Sequence, residues 1–158
     1  MSHEEIQVFI QLVSPHLGEA YIPKYASEGA AGMDLHAALP TPLTVNPGQR
    51  VRVPTGIAIQ LPERDMVALV YARSGLAWKS GLSLSNGVGV VDSDYTGEIQ
   101  VLLTNFGDSE VLIQPGDRIA QLVVASFHPV SWVQTETPLA KTRRGQAGFG
   151  STGVRIGD

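Results

Sequence analysis

The chain is expected to be all-β, on three observations. It has five short runs rich in valine and isoleucine, Pro-Gly and Asn-Gly turn chemistry between them, and only one stretch suited to a helix. The runs are IQVFIQLV (6–13), RVRVPTGIAIQL (50–61), MVALVY (66–71), GEIQVLLTNF (97–106) and DRIAQLVVASF (117–127). Between them lie NPGQ (46–49), LPERD (61–65), SNG (85–87), NFGD (105–108) and QPGD (114–117), where proline presets one dihedral and glycine accepts the left-handed one. SGLAWKS (74–80) is long enough for about two helical turns, with Gly81 placed to stop it. VLL (101–103) and LVV (122–124) put apolar side chains on both faces of a strand, so both faces need cover, from a second sheet or from a partner subunit.

With 158 residues and 43% hydrophobic content, the chain fits one domain with one core. It contains no cysteine, which excludes a disulfide framework and a thiolate zinc site. The opening MSHEEIQVFIQLV is acidic where a signal peptide would be basic, and no apolar span approaches the ~20 residues that cross a bilayer. A soluble, cytoplasmic protein with no membrane partner is expected. The net charge of −4 argues against a nucleic-acid partner, which needs a broad basic surface. The cations are few but placed: Arg73, Lys79, Arg118, Arg143 and Arg144 sit in or beside glycine-bearing stretches, which suits a small polyphosphate held at one focus.

Four stretches carry chemistry. NGVGVVDSDYTGEI (86–99) reads as two β segments around a tight turn, with Asp92 at the rim of an apolar VGVV, where a base can meet a water. The opening of such a hairpin presents main-chain N–H and C=O groups to the polar edge of a pyrimidine. In isolation DSDY is first of all Asx-turn chemistry. ARSGLAWKSG (72–81) groups a guanidinium, a hydroxyl and helix-start N–H groups, suited to an anion, although an ordinary N-cap needs nothing bound. GAAGMDLHA (29–37) gives a small-residue approach to Asp34, consistent with a carboxylate near a metal and equally with a tight turn into a strand. GDRIAQL (116–122) sets the amide of Gln121 in an apolar run, where it demands a partner.

A fifth stretch, RRGQAGFGSTG (143–153), has no strand or helix period and one large apolar side chain, so it orders only against something else. In order and spacing, AAGMDLHA, RSGLAWKSG, NGVGVVDSDYTGEI, GDRIAQL and RRGQAGFGSTG together resemble the motifs of the trimeric deoxyuridine triphosphatases (dUTPases) over residues 30 to 153.

The resemblance implies a distorted jelly-roll-like β-barrel of the β-clip type, forming a homotrimer. A hydrolase domain would span 1–133 and a flexible arm 134–158. It implies hydrolysis of dUTP to dUMP and pyrophosphate, which keeps uracil out of DNA and supplies dUMP for dTTP synthesis. Asp92 aligns with the general base, and Tyr95 with the ring that packs on the deoxyribose and excludes a 2′-hydroxyl. Asn86, the backbone of Gly89, Val90, Val91 and Asp92, and that of Gln100 would hold uracil. Arg73, Ser74, Gly75 and Gln121 align with phosphate-contacting residues, Gln121 being counted with the catalytic set. Asp34 aligns with a carboxylate that meets Mg²⁺ through water. In the arm, Phe149 would stack on uracil while Arg144, Gly150, Ser151 and Thr152 close on the β- and γ-phosphates.

Ordering about ten arm residues costs on the order of 10 kcal/mol. Closure therefore needs both the aromatic stack and the full triphosphate. The chain departs from the common family pattern at Ala72, where proline is usual, and Ala147, where glycine is usual; neither removes a functional group. A dCTP deaminase of the same fold would need a glutamate where Asp92 lies. Zinc deamination is excluded by the missing cysteines and by histidines at 3, 16, 36 and 128 without ligand spacing. A non-catalytic binder would have no need of a base.

Overall fold

The computed structural model describes residues 5–13 and 17–146. Among these, ten strands form three antiparallel sheets, with one α-helix and one short 3₁₀ turn. The strands are β1 (Phe9–Leu12), β2 (Met33–His36), β3 (Leu43–Val45), β4 (Arg50–Gln60), β5 (Met66–Tyr71), β6 (Leu82–Leu84), β7 (Gly89–Val91), β8 (Glu98–Asn105), β9 (Val111–Ile113) and β10 (Arg118–Ser126). One sheet runs β1-β4-β8-β6, a second β2-β10-β5-β7, and a two-stranded ribbon pairs β3 with β9. All five predicted runs contain strands, β5 with the predicted bounds and the other four trimmed at one or both ends. The strands outside those runs, β2, β3, β6, β7 and β9, span only three or four residues and leave little alternation to read.

The core lies between the two larger sheets. Met66, Ala68 and Val70 of β5 and Ile99, Val101 and Leu103 of β8 point inward at period two and are buried. Leu35, Ile57, Leu82, Ile113 and Ile119 complete the interior. Leu102, between two buried neighbours, is 39% exposed in the single chain, so the outward face of VLL is uncovered there. Asn105 is a fully buried amide with every group used. Its Nδ2 donates to the carbonyls of Val45 (2.9 Å) and Ser109 (2.8 Å), and its Oδ1 accepts the Gly107 N–H (2.9 Å). An unpaired amide here would cost far more than these bonds gain.

Helix α1 (Ser74–Ser80) has the predicted bounds. It ends because Gly81 adopts φ 66°, and its N–H closes on the Ala77 carbonyl at 3.1 Å. A Cβ at Gly81 would lie 2.5 Å from the Gly107 nitrogen, a main-chain atom that cannot step aside. Gly81→Ala therefore combines left-handed strain with a backbone clash, a loss on the order of 3 kcal/mol and a Tm roughly 10 °C lower by thermal melting.

The pairing departs from the expected hairpin over 86–99. β7 pairs with β5 (Val91 with Ala68, Gly89 with Val70), whereas β8 pairs with β4 and β6. The two segments belong to different sheets and are not hydrogen-bonded neighbours.

Candidate active site

The parting of β7 from β8 opens a cavity of about 280 Å³. Asn86, Gly89, Val90, Val91, Asp92, Tyr95 and Gln100 all line it, along with Val70, Leu84 and the Glu98–Leu102 stretch of β8. β6 takes up β8 only from Leu103 onward, and β7 bonds only to β5. Both walls therefore carry main-chain edges with few strand partners, offering donors and acceptors at strand spacing.

The six residues after β7 shape the rim. Asp92 is exposed, and its carbonyl accepts the Tyr95 N–H at 3.1 Å, closing a turn that brings the ring back over the cavity. The Tyr95 hydroxyl donates to the Glu98 carbonyl at 2.9 Å. Gly97 makes room for that ring, since a Cβ there would come 2.7 Å from the hydroxyl oxygen. Gly89 is likewise tight: its missing Cβ would meet Cβ of Val70 at 3.0 Å.

A second polar cluster lies where β2, β10 and β5 run side by side. The register sets Gln121 of β10 opposite Asp34 of β2 on one side and Tyr71 of β5 on the other. Arg73, two residues past β5, reaches back: its Nε meets Asp34 Oδ1 at 2.8 Å and its Nη1 donates to the Arg118 carbonyl at 3.2 Å. Arg118 Nη1 stands 3.5 Å from Asp34 Oδ2. The amide of Gln121 has the partner its setting demands, Nε2 donating to the Ala72 carbonyl at 2.9 Å. Its Oε1 lies against Gly32, where a Cβ would come within 2.6 Å. His36 packs behind this group, edge-on to Tyr21 with ring centroids 6.1 Å apart. Burial pushes its imidazole below the ordinary value; the Asp34 carboxylate works against that, while Arg118 and Arg73 add to it.

The guanidinium of Arg73 is fixed through Nε and Nη1, and Ser74 and Gly75 open α1, whose N-cap has no side-chain hydrogen bond. Asp34 uses its oxygens on two arginines, and each oxygen keeps a lone-pair direction open to a water. Among the described residues no group of three His, Cys, Asp or Glu side chains could hold a metal ion. That donor chemistry suits an ion carried on a ligand's own phosphates with few protein ligands.

The two clusters remain apart within the chain. The cavity beside Asp92 is lined by none of Asp34, Arg73, Ser74, Gly75 or Gln121. Arg144 is exposed in a segment without strand or helix, and Phe149, Gly150, Ser151 and Thr152 lie outside the described residues, as does Ala147. Sequence reasoning did not single out Glu98, which lines the cavity while its carboxylate accepts the Gly56 N–H, or the contact of Arg118 with Asp34. The alternation of Glu98 and Gln100 with buried Ile99 and Val101 was the available signal for Glu98.

The chain thus combines an all-β fold, a cavity walled by main-chain edges, and a separate cluster in which Arg73 and Arg118 meet Asp34. The dUTPase family model matches residues 18–153, and this chain belongs to that family. The deoxyuridine 5′-triphosphate nucleotidohydrolase of Desulfitobacterium hafniense (strain DSM 10664 / DCB-2) is 53% identical over 135 residues, covering 84% of this chain and 87% of its own length. The Staphylococcus bacteriophage 80alpha dUTPase, solved with dUPNHPP, shares the fold with a TM-score of 0.83 at 24% identity, over 94% of this chain and 99% of that one. A mutant dUTPase from phage phi11 of S. aureus, whose structure details coordination of a structural Mg(II) ion, superposes with a TM-score of 0.74 at 21% identity, over 85% and 99% of the chains.

Proposed function

We propose that this chain hydrolyses dUTP to dUMP and pyrophosphate, with Asp92 as general base. The observation that carries the reading is the carboxylate at the rim of a cavity whose walls are strand edges with few strand partners, in a chain of the dUTPase family. Uracil presents a donor flanked by acceptors, which the main chain of Gly89 to Asp92 and of Gln100, with the Asn86 amide, would meet as a strand neighbour does. Cytosine inverts the donor and acceptor at position 4, and a thymine methyl would press on backbone. A site that pairs polar groups rejects such mismatches strongly. The Tyr95 ring, tied to the Glu98 carbonyl, would cover the deoxyribose and leave no room for a 2′-hydroxyl.

In the reaction Asp92 takes a proton from water as its oxygen bonds to the α-phosphorus. The bond from that phosphorus to the α,β-bridging oxygen breaks, and pyrophosphate leaves with the electron pair. Arg73, Ser74, Gly75 and Gln121 would meet the phosphates, where fixed donors need no reorganisation as charge moves to the leaving group. Mg²⁺ would arrive on the triphosphate, held to this chain through a water on Asp34, and supply charge screening and polarisation of the α-phosphoryl group. Residues 134–158 would form the arm, with Phe149 on the base and Arg144, Gly150, Ser151 and Thr152 on the outer phosphates.

A triphosphate with its nucleoside needs both clusters, and within one chain they line no common cavity. In the homotrimer that we propose, a second copy supplies the phosphate-binding half. No helix among the described residues is long and apolar enough to cross a membrane; a cytoplasmic location is part of this proposal.

The test is product analysis by chromatography after incubation with dUTP, dCTP, dTTP and UTP in equal amounts with Mg²⁺. dUMP and pyrophosphate are expected with the other three nucleotides intact. Conversion of dCTP to dUTP, or no change in any nucleotide, would sink the reading.

A further inference from the structure

We infer that Glu98 is a positioning residue that sets the base and sugar end of the cavity, and so the preference for deoxyribose. The inference rests on the dUTP reading above. It starts from an irregularity in β4. Pro54 pairs with Gln100 and Ala58 with Glu98, so Thr55, Gly56 and Ile57 stand opposite Ile99 alone. Such a bulge interrupts the ladder between the strands. Here two side chains replace the lost ladder bonds. Thr55 Oγ1, buried, donates to the Ile99 carbonyl, and the Gly56 N–H donates to Glu98 Oε1 at 2.9 Å. Gly56 has φ 72°, which turns its N–H out of the ladder toward the carboxylate. Its carbonyl takes the Val13 N–H at 2.9 Å, so the chain just past β1 is fastened at the same point.

The same glutamate reaches the cavity by two further routes. Its other oxygen, Oε2, accepts from Gln100 Nε2 at 3.2 Å, and its main-chain carbonyl accepts from the Tyr95 hydroxyl at 2.9 Å. This end of β8 has β4 as its strand partner, paired only on either side of the bulge, at Pro54–Gln100 and Ala58–Glu98. Between those two pairs the carboxylate's grip on the bulge steadies the Glu98 main chain, and through its carbonyl the height of the Tyr95 ring. Thr55 holds the same bulge but bonds only to Ile99. Comparing the two residues separates tuning of the cavity from plain strand stability.

The experiment compares kcat and KM for dUTP and for UTP, with thermal melting, in the wild type and in Glu98→Ala, Glu98→Gln and Thr55→Val. Glu98→Ala is expected to raise KM for dUTP and to lower the dUTP-over-UTP ratio of kcat/KM, each about tenfold, the size of one charge-assisted hydrogen bond. kcat for dUTP should change far less. Glu98→Gln keeps an acceptor for Gly56 and meets a flipped Gln100 amide, so most of the preference returns. Thr55→Val melts lower yet keeps the wild-type ratio. Should Glu98→Ala fail to fold, Glu98→Asp, a methylene too short to span both partners, is expected to show the same loss of preference. An unchanged ratio in Glu98→Ala, or in Glu98→Asp where it stands in for it, overturns the inference, as does an equal loss in Thr55→Val. A wild type that leaves dUTP intact removes the functional reading and this inference with it; an active wild type confines any failure to Glu98.

Discussion

Replacing Asp92 by asparagine is expected to lower kcat for dUTP by about 10²–10⁴-fold, the usual contribution of a positioned base, with dUTP binding retained. The substitution is close to isosteric, and the turn it sits in is closed by main-chain atoms, the Asp92 carbonyl and the Tyr95 N–H, which the variant keeps. The cavity walls, built from β7 and β8, are also unchanged. What is lost is the capacity to accept a proton as water attacks. Removing one negative charge beside a triphosphate would, if anything, favour binding. Pyrophosphate release gives kcat, and calorimetric titration with dUTP in the presence of Mg²⁺ gives the affinity. Turnover within a few fold of wild type would remove Asp92 from the role of base. A protein that keeps its biological effect on this substitution would be a binder instead.

Mixing two inactive variants should restore activity. Arg73→Ala removes the cation that contacts Asp34 at 2.8 Å and that we assign to the phosphates, and by itself should be severely impaired. Asp92 and Arg73 line different cavities of one chain, so each complete site would draw them from two copies. In an evenly and randomly mixed trimer of Asp92→Asn and Arg73→Ala, each contributing copy is intact at the needed position half the time. About a quarter of all sites are then complete, and in the mixed trimers that carry both variants it is one site in three, so about a third of wild-type turnover returns in them. Were both groups used from the same chain, every site would carry one defect and mixing would recover nothing. Co-expression with two affinity tags, followed by a turnover assay on the doubly purified assembly, distinguishes these outcomes.

The long strands were readable because their chemistry is local. β5 shows the period-two burial that MVALVY implies, and α1 stops at Gly81 because a left-handed residue is needed there. The hairpin expected over 86–99 illustrates the limit. Two apolar runs joined by turn residues say that the chain reverses, but not that the runs pair. Pairing was decided by β5 taking β7, a contact between residues some twenty positions apart. Candidate residues around Asp92 were legible as a contiguous motif and do line one cavity. The ion pairs joining Asp34 to Arg73 and Arg118 were not, because three separate segments meet there and no spacing announces it. Gln121 was half legible: an amide in an apolar run requires a partner, and the fold supplied the Ala72 carbonyl.

The separation of β7 from β8 has a consequence for how such a protein changes over generations. If the base is recognised mainly by peptide groups along these two edges, its preference is encoded in atoms that every residue except proline carries. Most single substitutions there alter a side chain while leaving the reading surface intact. Base choice is then buffered against mutational drift, whereas sugar choice, resting on one tyrosine and the residues that hold it, is exposed to it. Variants with relaxed specificity should therefore lose discrimination at the ribose before they lose it at the pyrimidine.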